Sequence, residues 1–433
     1  MNKGQKQSKL DGVQGVAPEL RFQEFENSTN WDIKKFEKVF ERITKKNSIN
    51  NQNVLTISAQ HGLVSQLEYF NKKVSSKNVT GYYLLHKGEF AYNKSYSNGY
   101  PMGAIKQLKF YDKGVVSTLY ICFKTKKGYN SSFFDQYFDS GIINSEIKNI
   151  AQEGGRAHGL LNVSVKRFFK DINLSVPLLK EQQKIANCLS SLDNVINAET
   201  EKLDLLQDHK KGLLQQLFPQ QGESQPKYRF PEFKDDGVWL LDKFSKFIKL
   251  YRGSSPRPIS EYVTDDKNGV NWIKIGDTKN ADGFNVSKVG EKITIEGSKK
   301  SRKVAKGELI LANSMSYGAV YELKIDGCIY DGWFVLREFE DNFNKKFLLQ
   351  LLNSDFIQNQ YKKLAAGGIV QNISSVIVNN TLLPKPSIEE QQKIANCLSS
   401  VDELIASQQQ KIESLKAHKK GLLQKLFPSL NSI

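Results

Sequence analysis

The chain repeats itself, and the repeat constrains the architecture more than any other feature. Residues 181–191, EQQKIANCLSS, recur letter for letter at 390–400. At the same offset of 209, His209 to Gln215 reappears as His418 to Gln424, and Leu217-Phe218-Pro219 as Leu426-Phe427-Pro428. Of the 39 positions from Glu181 to Pro219, 25 are identical in the second copy, without a gap. An earlier block matches at an offset of 208: Pro18, Arg21, Phe22, Glu24, Phe25 and Trp31 return as Pro226, Arg229, Phe230, Glu232, Phe233 and Trp239. The chain is therefore a tandem duplication. Each unit opens on an aromatic–basic segment, runs through a long dissimilar region, and closes on a near-identical one.

The closing segment reads as a helix. Ile185, Leu189, Leu192, Ile196, Leu203, Leu206, Leu213 and Leu217 follow a 4-3-4-3 spacing, with Glu199 and Lys210 in the polar gaps. The second copy gives Ile394, Leu398, Val401, Ile405, Ile412, Leu415, Leu422 and Leu426, with Gln408 and Lys419 in the same gaps. Such an a/d seam is the pattern of a coiled coil. Pro177 and Pro386 stand upstream, and Pro219 and Pro428 close each run. From 185 to 217 the helix would span about 50 Å. The seven residue-to-residue steps from Pro219 to Pro226 reach about 24 Å at most, so the second unit must start at the C-terminal end of the first helix. Laying the helices antiparallel buries both seams and relates the units by a pseudo-two-fold axis. The variable regions alternate short β-rich runs, such as Val115 to Phe123 and Trp333 to Leu336, with Gly, Asn and Ser clusters; Asn344 to Leu364 suggests a helix. The expected fold is α+β: two α+β domains separated by two long antiparallel coiled-coil helices. The boundaries read as a tail at 1–17, a first domain at 18–176, helix and linker at 177–225, a second domain at 226–385, and the second helix at 386–433.

Charge separates these parts. The chain holds 62 Lys and Arg against 46 Asp and Glu, a net of +16. Residues 1–176 hold 26 basic against 15 acidic residues, and residues 220–385 hold 25 against 20. The helices are nearly neutral, with 5 against 6 in 177–219 and 6 against 5 in 386–428. Basic domains on neutral helices imply a polyanion, nucleic acid first, at the domains and protein at the helices. A membrane-surface reading needs a basic amphipathic helix, which is missing. No run approaches the ~18 apolar residues of a membrane span, and Met1 to Leu20 has no apolar stretch of a secretory signal. Four cysteines without a CxxC pair argue against a disulfide framework or structural zinc. A cytoplasmic location is expected. Phosphate-loop, adenine-methylation and HExxH motifs are absent, and Pro231-Glu-Phe-Lys234 matches a nuclease element only superficially, since its counterpart Gln23-Glu-Phe-Glu26 lacks the lysine. The chain does not read as an enzyme.

Nearly the whole chain, from Pro18 to Pro428, resembles the specificity (S) subunits of type I restriction–modification systems. The repeated EQQKIANCLSS…HKKGLLQ.LFP segment and the R-F-x-E-F…W opening carry the resemblance. Less specific are Tyr251-Arg-Gly-Ser-Ser-Pro256 with Asn271-Trp-Ile-Lys-Ile-Gly276, and Phe90 to Ser95 with Gly114 to Tyr120. The resemblance implies two target-recognition domains, each reading one half of a bipartite double-stranded DNA site. It implies helices that set their separation and dock two methyltransferase subunits. S-adenosylmethionine, ATP and Mg would then reside on the methyltransferase and restriction partners, with no cofactor or metal on this chain.

Candidate DNA contacts follow from residue chemistry. Lys299, Lys300, Arg302 and Lys303 form the densest basic run, suited to phosphate and giving salt-dependent affinity without sequence information; the bland reading is a solvated loop. Lys45 and Lys46, with Asn47, are similar. Arg257, Asn313 and Ser314 in the second domain, and Gln60, His61 and Lys94 in the first, carry groups that read base edges, or else serve turns. The sixteen seam positions are the partner-facing candidates. His209 and His418 suit the negative end of a helix dipole, Cys188 and Cys397 suit small buried positions, and Glu181-Gln182-Gln183 either caps the helix or meets a partner. A solitary DNA-binding repressor or anti-restriction decoy has the same architecture and stays open; a nuclease or a pure scaffold fits the charge and motifs less well.

Overall fold

The computed structural model describes residues 15–58, 62–70, 78–95, 99–151, 161–314, 318–365 and 372–429. The chain forms two compact units, Met1–Thr200 with Gln410–Ile433, and Glu201–Gln409.

In the first unit, strand β1 (Asp32–Lys35) follows the opening segment. A four-stranded antiparallel sheet of Phe40–Ile43, Ile121–Thr125, Phe90–Asn93 and Ala104–Gln107 comes next. Helix α1 (Ser131–Asp139) packs on it, its N-terminus capped by the Asn130 side chain, which accepts from the Phe133 amide at 2.8 Å. Strand β2 (Asn173–Val176) pairs antiparallel with β1, Asp32 opposite Val176, and leads into helix α2 (Leu179–Leu217). The core is aromatic. Phe36, Phe40, Phe90, Phe123, Phe134, Phe138 and Phe168 are buried together, with Phe36 stacked on Phe40 at 4.5 Å between centroids. Each such ring contributes about 1.5–3 kcal/mol by leaving water. The run Val115 to Phe123 is not one strand. It divides into Lys113–Val116 and Ile121–Thr125, in different sheets, because Ser117 closes a turn by accepting from the Tyr120 amide at 3.1 Å.

The second unit repeats the frame around a different filling. Strand β3 (Leu240–Lys243) opens it, and two five-stranded sheets follow. One contains Lys249–Arg252 and Trp333–Arg337, the other Val270–Ile273 and Arg302–Val304. Asn344 to Leu364 is two helices rather than one: α3 (Lys345–Leu352) and Asp355–Ala365. Asn353 ends the first by pairing with both backbone groups of Val320, at 3.0 and 2.9 Å. Strand β4 (Leu382–Lys385) pairs with β3, Leu240 opposite Lys385, and leads into helix α4 (Ile388–Leu426).

The two long helices have 39 residues each and begin six residues before the first seam position. In the first unit Asp193 and Glu199 of α2 meet Lys419 and Lys411 of α4 at 2.6 and 2.5 Å. In the second, Lys210 of α2 meets Asp402 of α4 at 2.6 Å. Numbers rise on one helix as they fall on the other, so within each unit the helices run in opposite directions. The seam is not uniform. Ile185, Leu189 and Leu426 enter the core of the first unit, and Leu217, Ile394 and Leu398 that of the second. Ile196, Val401 and Ile412 are buried, while Leu192, Leu203, Leu206, Leu213, Ile405, Leu415 and Leu422 are half-buried. Two helices alone cover only part of each other's circumference.

Candidate nucleic-acid interface

The opening and closing repeats close on each other. Glu181, 1% exposed, accepts from Arg21 Nε and Nη2 at 2.8 Å each and from Trp31 Nε1 at 3.1 Å. In the second unit Glu390 takes the same three bonds from Arg229 at 2.9 and 2.7 Å and from Trp239 at 3.0 Å. These bonds hold both guanidinium groups above their ordinary pKa. Glu24 pairs with Lys184 at 2.8 Å, and Glu232 with Lys393 at 2.9 Å. The lysine of Pro231-Glu-Phe-Lys234 therefore flanks a carboxylate committed to an ion pair.

Glu181-Gln182-Gln183 serves the fold. Gln182 accepts from the Asn130 amide at 2.9 Å, and its own amide donates to the Pro177 carbonyl at 2.8 Å. Gln391 does likewise with Asn344 at 2.8 Å and Pro386 at 3.0 Å. Six residues after Asn130 and Asn344, Gln136 and Gln350 donate to Asp193 and Asp402 at 2.8 and 2.9 Å, the carboxylates that take the lysines of the facing helix. Arg21, Trp31 and Glu181 recur at matched positions, so this coupling had a signal in the repeat. Asn130 and Gln136 had none, because their counterparts Asn344 and Gln350 lie outside the matched blocks.

The basic residues sit elsewhere. Lys299 and Lys300 end a short helix, and Arg302 and Lys303 stand on the following strand. Lys299 pairs with Glu296 at 2.6 Å. Lys300 donates to the Tyr262 hydroxyl, which holds the ammonium above its usual pKa, and lies 4.7 Å from that ring's centroid. Arg302 donates to the Arg252 carbonyl at 3.1 Å and lies over Tyr251, while Lys303 is exposed. Arg257 is 80% exposed, 3.6 Å from Asp331. Asn313 is buried, its side chain donating to the Asp331 carbonyl at 2.9 Å, and Ser314 bridges to Asn372. Thus Arg257, Asn313 and the segment 299–303 gather around the strand that carries Tyr251 and the turn that carries Asp331.

In the first unit Lys45 is exposed, and Lys46 donates to the Gly81 carbonyl at 2.8 Å while lying over Tyr83. Asn47, 2% exposed, spends its side chain on Asn51 and Val79. Lys94 is half-buried, its carbonyl accepting from the Leu161 amide at 3.0 Å. Gln60 and His61 lie outside the described residues, as does most of the 1–17 tail. His209 and His418 are exposed and Cys188 and Cys397 half-buried. Among the described residues no group of side chains could hold a metal ion, and no helix is long and apolar enough to cross a membrane.

Residues 248–417 match the family model for the type I restriction modification DNA specificity domain. The type I restriction enzyme MjaVIII specificity subunit of Methanocaldococcus jannaschii is 26% identical over 277 residues, covering 60% of this chain and 63% of that relative. The match thus spans less than two thirds of the relative's length. A chain from a solved structure describing complex assembly and conformational transition of the type I restriction–modification system aligns with a TM-score of 0.59 and 17% identity, over 92% of this chain and 97% of that one. The S subunit of the type I system from M. genitalium gives 0.53 and 14%, over 96% and 100%. These two likenesses are of fold.

Proposed function

Because residues 248–417 match the type I restriction modification DNA specificity domain, we propose that the chain is a type I specificity subunit and that it reads an asymmetric bipartite DNA target, one half-site per variable region. It is a recognition subunit, not an enzyme. The observation that carries the reading is the contrast between the units. Their frames repeat bond for bond from Arg21–Glu181 to Arg229–Glu390, while the fillings differ in sheet number and order and hold the excess positive charge. Different fillings suit different half-sites. Base contacts specify, and the lysines and arginines of each filling meet phosphate.

The repeated helices suit two copies of one methyltransferase subunit. Gln183, Lys184, Asn187 and Ser191 are exposed, and so are the identical Gln392, Lys393, Asn396 and Ser400. Restriction subunits would join through those partners, which would carry S-adenosylmethionine, ATP and Mg. In this reading α2 and α4 act as an antiparallel coiled coil that fixes the gap between half-sites, within a soluble cytoplasmic complex.

Titrating the chain, with and without the methyltransferase subunit, against DNA at 50–200 mM salt tests the assignment. Specific binding that needs the partner and weakens steeply with salt is expected. Tight specific binding by the chain alone would favour the solitary repressor or decoy. Metal-dependent cleavage by the chain alone would contradict a recognition subunit.

A further inference from the structure

Two segments singled out in the sequence, Tyr251 to Pro256 and Asn271 to Gly276, come together in the second unit around a cavity of about 800 Å3. The volume lies within the ~300–1,000 Å3 of small-molecule sites. Its walls include Pro256, Pro258, Ile259, Trp272 and Tyr330, and its rim Arg257 and Lys274. Trp272 and Tyr330 meet edge to face at 6.4 Å. The backbone is drawn tight behind them: a Cβ at Gly253 would stand 2.0 Å from the Tyr330 carbonyl oxygen, so glycine is required there.

The rim carries two cations, each beside a carboxylate, one of which, Glu291, also lines the cavity. Arg257 is 80% exposed, its guanidinium 3.6 Å from a carboxylate that already accepts from Ser255. Lys274 shares its charge with Glu291, both about two-fifths exposed. The basic run borders the cavity as well. Lys300 holds Tyr262, the neighbour of the wall residue Val263, and Ser301 donates to the Ser254 carbonyl beside Ser255. An aromatic, apolar wall takes a planar ring, and cations around its mouth take phosphates.

We propose that this cavity receives a nucleobase lifted out of the bound duplex, with Arg257 and Lys274 on the flanking phosphates. The proposal rests on the DNA-recognition reading and adds an extrahelical base to it. Extrusion carries an unpairing cost that is least at a mismatch. Specific binding is measured for the full chain, in complex with its methyltransferase subunits, on duplexes mismatched at each position of the half-site read by residues 226–385. One position is expected to bind about tenfold tighter when mismatched, and the others weaker. Ile259→Trp, at a wall residue 38% exposed, fills the cavity and should abolish that gain while sparing salt-dependent nonspecific binding. Arg257→Ala, at a surface site that leaves the core intact, should lower the salt slope by about one. Mononucleotides at millimolar concentration should compete weakly.

Weakening by every mismatch, or an unchanged gain in Ile259→Trp, overturns the extruded base. Tight mononucleotide binding without a mismatch effect overturns it in favour of a free nucleotide. Absence of any specific binding by the wild-type complex overturns both readings together.

Discussion

Arg21 and Glu181 stand 160 positions apart in the chain and share two hydrogen bonds. Glu181 is nearly sealed from water, so losing Arg21 leaves a buried carboxylate with only Trp31 as donor. Arg21→Ala should destabilise the first unit by about 3–5 kcal/mol, and Arg229→Ala the second by a similar amount. Arg21→Ala with Glu181→Ala should cost clearly less than the sum of the single changes. Thermal and urea unfolding of the single and double variants measures this. At this scale the sequence was half legible. It showed that Arg21, Trp31 and Glu181 are duplicated, but a pairing across 160 residues is set by the packing of β1 on β2, which no local pattern displays. The same holds for Asn47: its charged neighbours suggest phosphate, whereas burial gives its amide to the backbone carbonyls of Asn51 and the distant Val79.

The long helices were the most legible elements, because a 3.5-residue period survives any tertiary context. The apolar seam marks their starts only at Ile185 and Ile394, six residues late, since Glu181 and Gln182 look polar in sequence yet are buried. The strands were legible mainly as β-rich runs, and their order was not, because sheet pairing joins distant segments. If the helices set the gap between half-sites, one heptad added to both, after Lys202 and after Lys411, keeps the seam in phase. It adds about 10 Å, roughly three base pairs at ~3.4 Å each, and turns the units by about 100° around the duplex. The modified site should keep both half-sequences and gain one to three base pairs between them, with lower efficiency. An unchanged gap at full efficiency would remove the helices as the spacer. Leu192→Glu with Val401→Glu should abolish assembly with the methyltransferase subunit, or unfold the helical pair, as read by co-purification and circular dichroism.

At the scale of the molecule, the two ends of the described chain meet as its middle does. The Leu20 amide donates to the Lys425 carbonyl at 2.9 Å, and the Tyr228 amide to the Gln216 carbonyl at 3.0 Å. These are equivalent bonds by the repeat offsets. One unit is closed by the linker through Gly222, the other by noncovalent contact, including Trp31 on Phe427 at 6.3 Å. Joining Pro428 to Pro18 with a copy of residues 220–225, and opening the chain at Gly222, should therefore give a folded protein with the parent's melting temperature within a few degrees.

The central claim is that two different domains on one repeated frame read two half-sites for partner enzymes. The most direct measurement is the methylome of cells carrying the chain with its methyltransferase subunit, before and after residues 18–176 are exchanged for the first domain of another family member. The account predicts methylated adenine in a two-part motif, with one half replaced by the exchange and the other retained. A continuous motif, or a change in both halves, would contradict it.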